Sequence, residues 1–342
     1  MRCILIALLA LSAPMSAGAA TDAPDGTLLS SEACPSNPVR SHAEYLQAVR
    51  TELDKEAIAA RKENLHMPPI SDERLRASLP GRREVEEHLA YRGFECRVIT
   101  YASGGLEIAG LLWKPKDTRG QPHPLLIALR GGNNTFGPME QWRYWGWHEY
   151  LKAGYVVLAT QYRGGPGSEG RDGYGSPGDL ADVRNLVPLA RALGYVDTSQ
   201  VFMHGGSRGG MQTYMLARSG FPLKAIAIRA GSGDLRNTDR RPDLRNMQKG
   251  LMTDFPADGE AAIDRRSAVL WAHEIKVPAI IFHGTDDWRV SVDQSLDVAK
   301  GLRRARTPFE MHLYEGDTHA MDLNQADMTR RTIAFFDRYR TR

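Results

Sequence analysis

Short apolar runs recur from residue 97 onward, with segments of helical spacing between them. Residues 124–129 and 155–160 are almost unbroken apolar runs, as strands covered on both faces require. Residues 200–203, 225–228, 279–282 and 310–314 predict further strands, and 97–101 and 106–113 predict a hairpin joined through Ser103-Gly104-Gly105. Helical patterns occupy 141–152, 180–193, 208–219, 292–304 and 327–339. Strands alternating with helices predict an α/β fold, a mostly parallel sheet with helices on both faces. One stretch breaks the alternation. Residues 234–275 form a charged, helical insertion before the strand at 279, and are the natural candidate for a cap.

Upstream the pattern changes. In 41–64, Tyr45, Leu46, Val49, Leu53 and Ile58 fall near three- and four-residue spacing, and Met67-Pro68-Pro69 ends that helix. Residues 84–89 predict another short helix, while 21–38, rich in Ala, Pro, Ser and Asp, read as a loosely attached leader. The expected organisation is therefore an N-terminal helical extension at 21–95 and a main α/β domain at 96–342. The first twenty residues are of another kind. A positive start at Met1-Arg2, an apolar run at 3–13 and an A-x-A pattern in Ala17-Gly18-Ala19-Ala20 predict a secretory signal peptide. The mature chain is then expected in the periplasm or outside the cell. No later run is long and apolar enough to predict a membrane helix.

Export changes how the cysteines read. With Cys3 in the signal, Cys34 and Cys96 remain, and a disulfide between them is chemically possible and would pin the extension to the main domain. Two buried free thiols are the competing reading. Neither cysteine has neighbours that suggest a metal site. Charge adds an exclusion: the formal net charge is only +3 and the basic residues are scattered, so nucleic acid is not an expected partner.

The chemistry concentrates at His204-Gly205-Gly206-Ser207-Arg208-Gly209-Gly210, which contains G-x-S-x-G. The motif follows a short apolar strand and opens a helix, the context of a nucleophile elbow. A tight strand-to-helix turn exposes the Ser207 hydroxyl, and small neighbours two positions either side let the chain pass. The Arg208 N–H, at the helix start, is the expected oxyanion donor. A serine needs a base, and on this fold the triad partners follow in the order Ser, Asp, His. His319 lies in the loop after the last strand, where a base reaches back to the elbow. The acid should follow the strand at 279–282, where Asp286 and Asp287 compete and spacing alone does not choose.

The blocks Tyr162-Arg163-Gly164-Gly165-Pro166-Gly167, Gly194-Tyr195-Val196-Asp197, Gly206-Ser207-Arg208-Gly209-Gly210, Arg266-Ser267-Ala268-Val269-Leu270-Trp271-Ala272, His283-Gly284-Thr285 and Tyr314-Glu315-Gly316 occur in this order. As a set they resemble the catalytic domain of the prolyl oligopeptidase family of serine peptidases, especially its acylaminoacyl-peptidase-like and dipeptidyl-peptidase-like branches. The resemblance covers about 106–338 and implies an α/β-hydrolase fold, a Ser-His-Asp triad and no metal or organic cofactor. Its pattern H-G-x-x-D-x-x-V matches Gly284, Asp287 and Val290, which selects Asp287 as the acid.

Two departures stand out. Where relatives often show His-Gly-Gly or a tyrosine beside the oxyanion, this chain has Arg130-Gly131-Gly132-Asn133-Asn134. A backbone N–H near Gly131 or Gly132 is the expected second donor. Arg130 is then a candidate for binding a substrate carboxylate, or for a surface ion pair. The second departure is the lack of the β-propeller that most of these peptidases carry ahead of the catalytic domain. Peptide cleavage is thus implied by the catalytic domain alone. The competing expectations are a carboxylesterase for small or carbohydrate-linked esters, with Trp142, Trp145 and Trp147 lining an aromatic pocket, and a non-catalytic binding protein on the same fold.

Overall fold

The computed structural model describes residues 21–65, 67–139, 147–236 and 242–341. The expected signal peptide, and with it the cleavage pattern at 17–20, lies outside the described residues, as do Trp142 and Trp145. The nine strands among the described residues form one sheet: β1 (Leu28–Ala33), β2 (Phe94–Ser103), β3 (Leu106–Pro115), β4 (His123–Leu129), β5 (Val156–Thr160), β6 (Val196–Gly206), β7 (Leu223–Arg229), β8 (Ala279–Gly284) and β9 (Phe309–Tyr314). Their spatial order is β1-β2-β3-β5-β4-β6-β7-β8-β9. The first three strands and β5 pair antiparallel, and the rest of the sheet is parallel.

The apolar runs have a simple origin. Leu125, Ile127 and Leu129 of β4 pack into one buried cluster and Leu126 and Ala128 into another, on the opposite face. Ala225 to Ile228 of β7 and Ala279 to Phe282 of β8 divide the same way. Successive side chains on a strand point to opposite faces, so two covered faces demand an apolar residue at every position.

Helices α1 (His42–Lys62), α2 (Asp72–Ser78) and α3 (Arg82–Ala90) precede the sheet's second strand. The Ser41 hydroxyl accepts the Glu44 N–H at 3.2 Å and starts α1 where the sequence predicts. Next come α4 (Trp147–Lys152), α5 (Pro177–Arg184), α6 (Leu186–Ala192) and α7 (Arg208–Arg218). The pattern at 180–193 predicts one helix but gives two, α5 and α6, meeting at Asn185. Pro188 has no N–H to donate to Arg184 and its ring crowds that carbonyl, so the helix restarts.

The expected extension also needs correction. Leu28–Ala33, inside the expected loose leader, is β1 and pairs antiparallel with β2. Beside that pairing, Cys34 and Cys96 are joined in a disulfide. Residues 21–95 are therefore part strand and part helix, stitched to the main sheet at its edge.

The insertion 234–275 holds α8 (Pro242–Leu251), α9 (Phe255–Asp258), α10 (Glu260–Arg266) and α11 (Ala268–Trp271). Met252, Ala262 and Ile263 are buried with Tyr174 and Met211, so its later part is packed into the body. Only its earlier part, through Met247 and Gln248, fronts the cleft described below. Helices α12 (Val292–Arg304) and α13 (Gln325–Asp337) complete the chain. No described helix is long and apolar enough to cross a membrane.

Candidate active site

Four loops leave the carboxyl ends of β4, β6, β8 and β9 and converge, at the point where the sheet order reverses around β4. In open α/β sheets this is where ligands bind. Ser207 stands between β6 and α7 with φ 54° and ψ −120°. A non-glycine residue there costs about 1–3 kcal/mol and persists only where its surroundings fix it. They do so here. The Ser207 N–H donates to Arg229 O at 2.9 Å, and Ser207 O accepts from Ser232 N at 3.1 Å and Met211 N at 3.2 Å. The flanking glycines are steric requirements. A Cβ on Gly205 would collide with Gly209 O and the Thr213 hydroxyl, and one on Gly209 with Leu129 O and Arg130 O.

His319 Nε2 lies 2.9 Å from Ser207 Oγ, and His319 Nδ1 lies 2.8 Å from Asp287 Oδ2 and 3.0 Å from Oδ1. With a carboxylate on one side and a hydroxyl on the other, Nδ1 carries the proton and Nε2 accepts from Ser207. Asp287 Oδ1 also accepts the N–H groups of Arg289 at 2.8 Å and Val290 at 2.9 Å. Burial works to raise the Asp287 pKa. The facing His319 and hydrogen bonds from His283 and His319 outweigh it, and the carboxyl is held well below the usual carboxylate range. Asp286 takes no part in this geometry; its N–H donates to Asp317 O at 3.1 Å.

His283 has a place that sequence reasoning left without a role. Its Nε2 is 3.1 Å from Asp287 Oδ2 and 3.0 Å from Val290 O, while its Nδ1 meets the Ser295 hydroxyl at 2.7 Å. It orients the carboxylate from behind, and its spacing four residues before Asp287 was the available signal.

The oxyanion side is built from β4 and its loop. A Cβ on Gly131 would sit 3.0 Å from Ser207 Cβ, tight enough to press on the nucleophile, so glycine suits this approach. Gly132 has φ +68°, and a Cβ there would overlap Phe136 O. Arg130 does not serve as a carboxylate binder. It is 1% exposed, and its guanidinium donates to the carbonyls of Gln161, Asn134, Phe136, Gly131 and Gly137 at 2.8–3.3 Å. Those bonds wrap the 131–137 loop around one buried cation. Charge in the sequence cannot reveal that a cation is spent on carbonyls.

The assembled groups line a cleft of about 880 Å³ that includes Ser207, His319, Gly131, Phe136 and Trp288. Its other wall comes from α1, through Glu52, Glu56 and Ala59. Trp147 is absent from that lining. It is 4% exposed and packs near Tyr150 and Trp113, with ring centres 5.6 and 6.1 Å away. The aromatic side chains of the cleft are instead Phe136, Tyr174 and Trp288, with the Arg289 guanidinium 4.2 Å from the Trp288 ring centre. Among the described residues no group of three or more His, Cys, Asp or Glu is arranged to hold a metal ion.

Residues 142–341 match the model of the prolyl oligopeptidase family. The chain belongs to that family of serine peptidases. A Bacillus subtilis protein described as uncharacterized peptidase YtmA is 29% identical over 223 residues, 65% of this chain and 84% of that one. Human acylamino-acid-releasing enzyme is 28% identical over 247 residues, 65% of this chain and 32% of the enzyme. Among solved structures, Pyrococcus horikoshii acylaminoacyl peptidase aligns with a TM-score of 0.63 at 19% identity, over 76% of this chain and 44% of that one. Porphyromonas gingivalis dipeptidyl peptidase 4 aligns with a TM-score of 0.60 at 22% identity, over 76% and 37%. These likenesses place the sheet and its helices in the α/β-hydrolase fold. The chain thus spans less than half the length of the acylaminoacyl and dipeptidyl peptidases it resembles.

Proposed function

We propose that this protein cleaves the amide bonds of short peptides or blocked amino acids by acyl transfer through Ser207. The observation that carries the reading is the continuous hydrogen-bonded line Ser207 Oγ, His319 Nε2, His319 Nδ1, Asp287 Oδ2, with steps of 2.9 and 2.8 Å, opening on the cleft. His319 takes the Ser207 proton as Oγ attacks the carbonyl, and Asp287 stabilises the imidazolium that results. The backbone N–H of Arg208 and one from Gly131 or Gly132 hold the developing oxyanion, each contributing about 3 kcal/mol in comparable sites. His319 then returns the proton to the leaving amine. Water attacks the acyl-enzyme by the same route, and the acid departs.

Peptide bonds are favoured over esters because the family model and the curated relatives are those of peptidases. The same machinery acts on activated esters, so a carboxylesterase is the second reading. We place the mature protein outside the cytoplasm. The Cys34–Cys96 disulfide supports that reading, since such bonds persist in oxidising compartments.

Matched amide and ester substrates with a common acyl group separate the readings, with Ser207→Ala as control. Turnover of acyl-peptide or dipeptide amides, lost in the variant, supports the peptidase. Ester turnover with inert amides across a broad panel contradicts it.

A further inference from the structure

The base sits on the loop 315–323, and the helices of the N-terminal segment grip that loop at both ends. At its start, Arg74 of α2 donates from Nη2 to Glu315 O at 2.5 Å. The same guanidinium lies across Gly316, where a Cβ would overlap it. At its end, Leu323 is 2% exposed and buried with Tyr45, Leu53, Ile70, Leu75, Leu79 and Val85. Every other buried member of that cluster lies in residues 45–85. The loop therefore places one apolar side chain in the core of the N-terminal helices, four residues after the base.

The hydrolase body holds the loop as well: the Gly316 N–H donates to the Thr285 hydroxyl at 2.7 Å, and Asp317 O accepts the Asp286 N–H at 3.1 Å. Arg229, at the end of β7, donates from Nη1 to Ala320 O at 2.5 Å. Met321, at φ +54°, is fully buried against the body's second apolar layer. His319 thus sits on a loop held by the body and, at Glu315 and Leu323, by the N-terminal helices as well. The segment that carries those helices is joined to the sheet on both sides, before α1 through β1 and the Cys34–Cys96 disulfide and after α3 where the chain enters β2.

We propose that the N-terminal helices are a positioning element for the catalytic base, acting on the loop 315–323 through Arg74 and Leu323. The inference rests on the catalytic reading of Ser207 and His319 given above. Neither Arg74 nor Leu323 lines the cleft, so they act through His319 and not on substrate. The demand on geometry is steep. A displacement of about 1 Å in a catalytic group lowers the rate on the order of 100-fold.

The test uses the full-length mature protein with Arg74→Ala, Arg74→Lys, Leu323→Ala and the Arg74→Ala/Leu323→Ala pair. Thermal melts report folding, and kcat and KM are measured on one small substrate that the wild type turns over. We expect kcat to fall about 10-fold in each alanine variant and about 100-fold in the pair, with KM within about twofold. Arg74→Lys keeps a donor and is expected to restore most of the Arg74→Ala loss. Amide exchange across 315–323 should quicken in the pair while the sheet stays protected. A folded pair that keeps kcat within about twofold overturns the proposal, as does a rise in KM without a fall in kcat. Should the pair fail to fold, Arg74→Ala decides alone, because Arg74 is exposed. Wild-type turnover that survives Ser207→Ala overturns the catalytic reading itself. Ser207-dependent turnover that is untouched by the loop variants overturns only the positioning role.

Discussion

The Arg208 guanidinium lies 2.7 Å from Asp172 Oδ2, with both side chains essentially out of contact with solvent. The same carboxylate oxygen accepts the Asn134 N–H at 2.7 Å, and Arg208 Nη1 also reaches Gly132 O at 3.1 Å. The residue whose N–H is assigned to the oxyanion therefore ties the start of α7 to the glycine loop facing it. Asp179 Oδ1 completes the group at 3.3 Å. Burial works to raise both carboxyls. The closer Arg208 contact overrides this at Asp172, which is lowered, whereas Asp179 is raised to about 6 with Asp172 as a like-charged neighbour.

Removing that cation should be costly. Arg208→Met leaves two buried carboxylates without their partner, which is expected to destabilise the fold by about 3–5 kcal/mol. Denaturant unfolding at pH 7 measures it. A loss under about 1 kcal/mol would show that the buried group contributes little.

The two adjacent aspartates should differ sharply. Asp287→Asn is expected to lower kcat on the order of 10,000-fold, because His319 loses the acceptor that sets its tautomer. Asp286→Asn should stay within about threefold, since its side chain lies outside the His319 hydrogen bonds. Steady-state kinetics on purified variants decide between them, and the reverse ranking would move the acid by one residue.

A pH dependence of stability follows from Asp322. Its Oδ2 is shut off from solvent without a hydrogen-bond partner, and burial pushes the carboxyl up to about 7. Glu56 and Glu52 of α1 and Asp317 of its own loop add to the rise, while Arg229 opposes it. The folded value lies above the unfolded one, so protonation favours the fold. That stability is fully present below about pH 4 and is lost as pH rises through about 7. Asp322→Asn should therefore match wild type near pH 4 and exceed it by on the order of 1–2 kcal/mol at pH 8, discounted for partial exposure. Asp317 and Asp179, each raised to about 6, titrate in the same window, so the difference between variant and wild type is the quantity to measure. A constant difference across pH 4–8 would contradict the assignment.

What the sequence shows and hides follows from the range of the forces involved. The parallel strands are legible because two covered faces demand apolar residues at each position. The turn at Ser207 is legible because its glycines answer local collisions. β1 is hidden because it lies at the sheet edge with no fully buried residue, so Leu28 to Ala33 carry no burial pattern. The use of Arg130 and the seat of Leu323 are hidden for another reason. Both depend on partners distant in the chain or on carbonyls, which have no letter in the sequence. The pairing of Cys34 with Cys96 lies between these cases, since the chemistry permits it and only the fold brings the sulfurs together.

The central claim is that Ser207 is a nucleophile activated by His319. Its most direct measurement is intact-mass spectrometry after treatment with a fluorophosphonate, followed by peptide mapping, on wild type, Ser207→Ala and His319→Ala. We expect one adduct, on the peptide carrying Ser207, absent from Ser207→Ala and formed at least about 100-fold more slowly in His319→Ala. A folded wild type that takes up no label, or a Ser207→Ala variant that labels like wild type, would contradict the account.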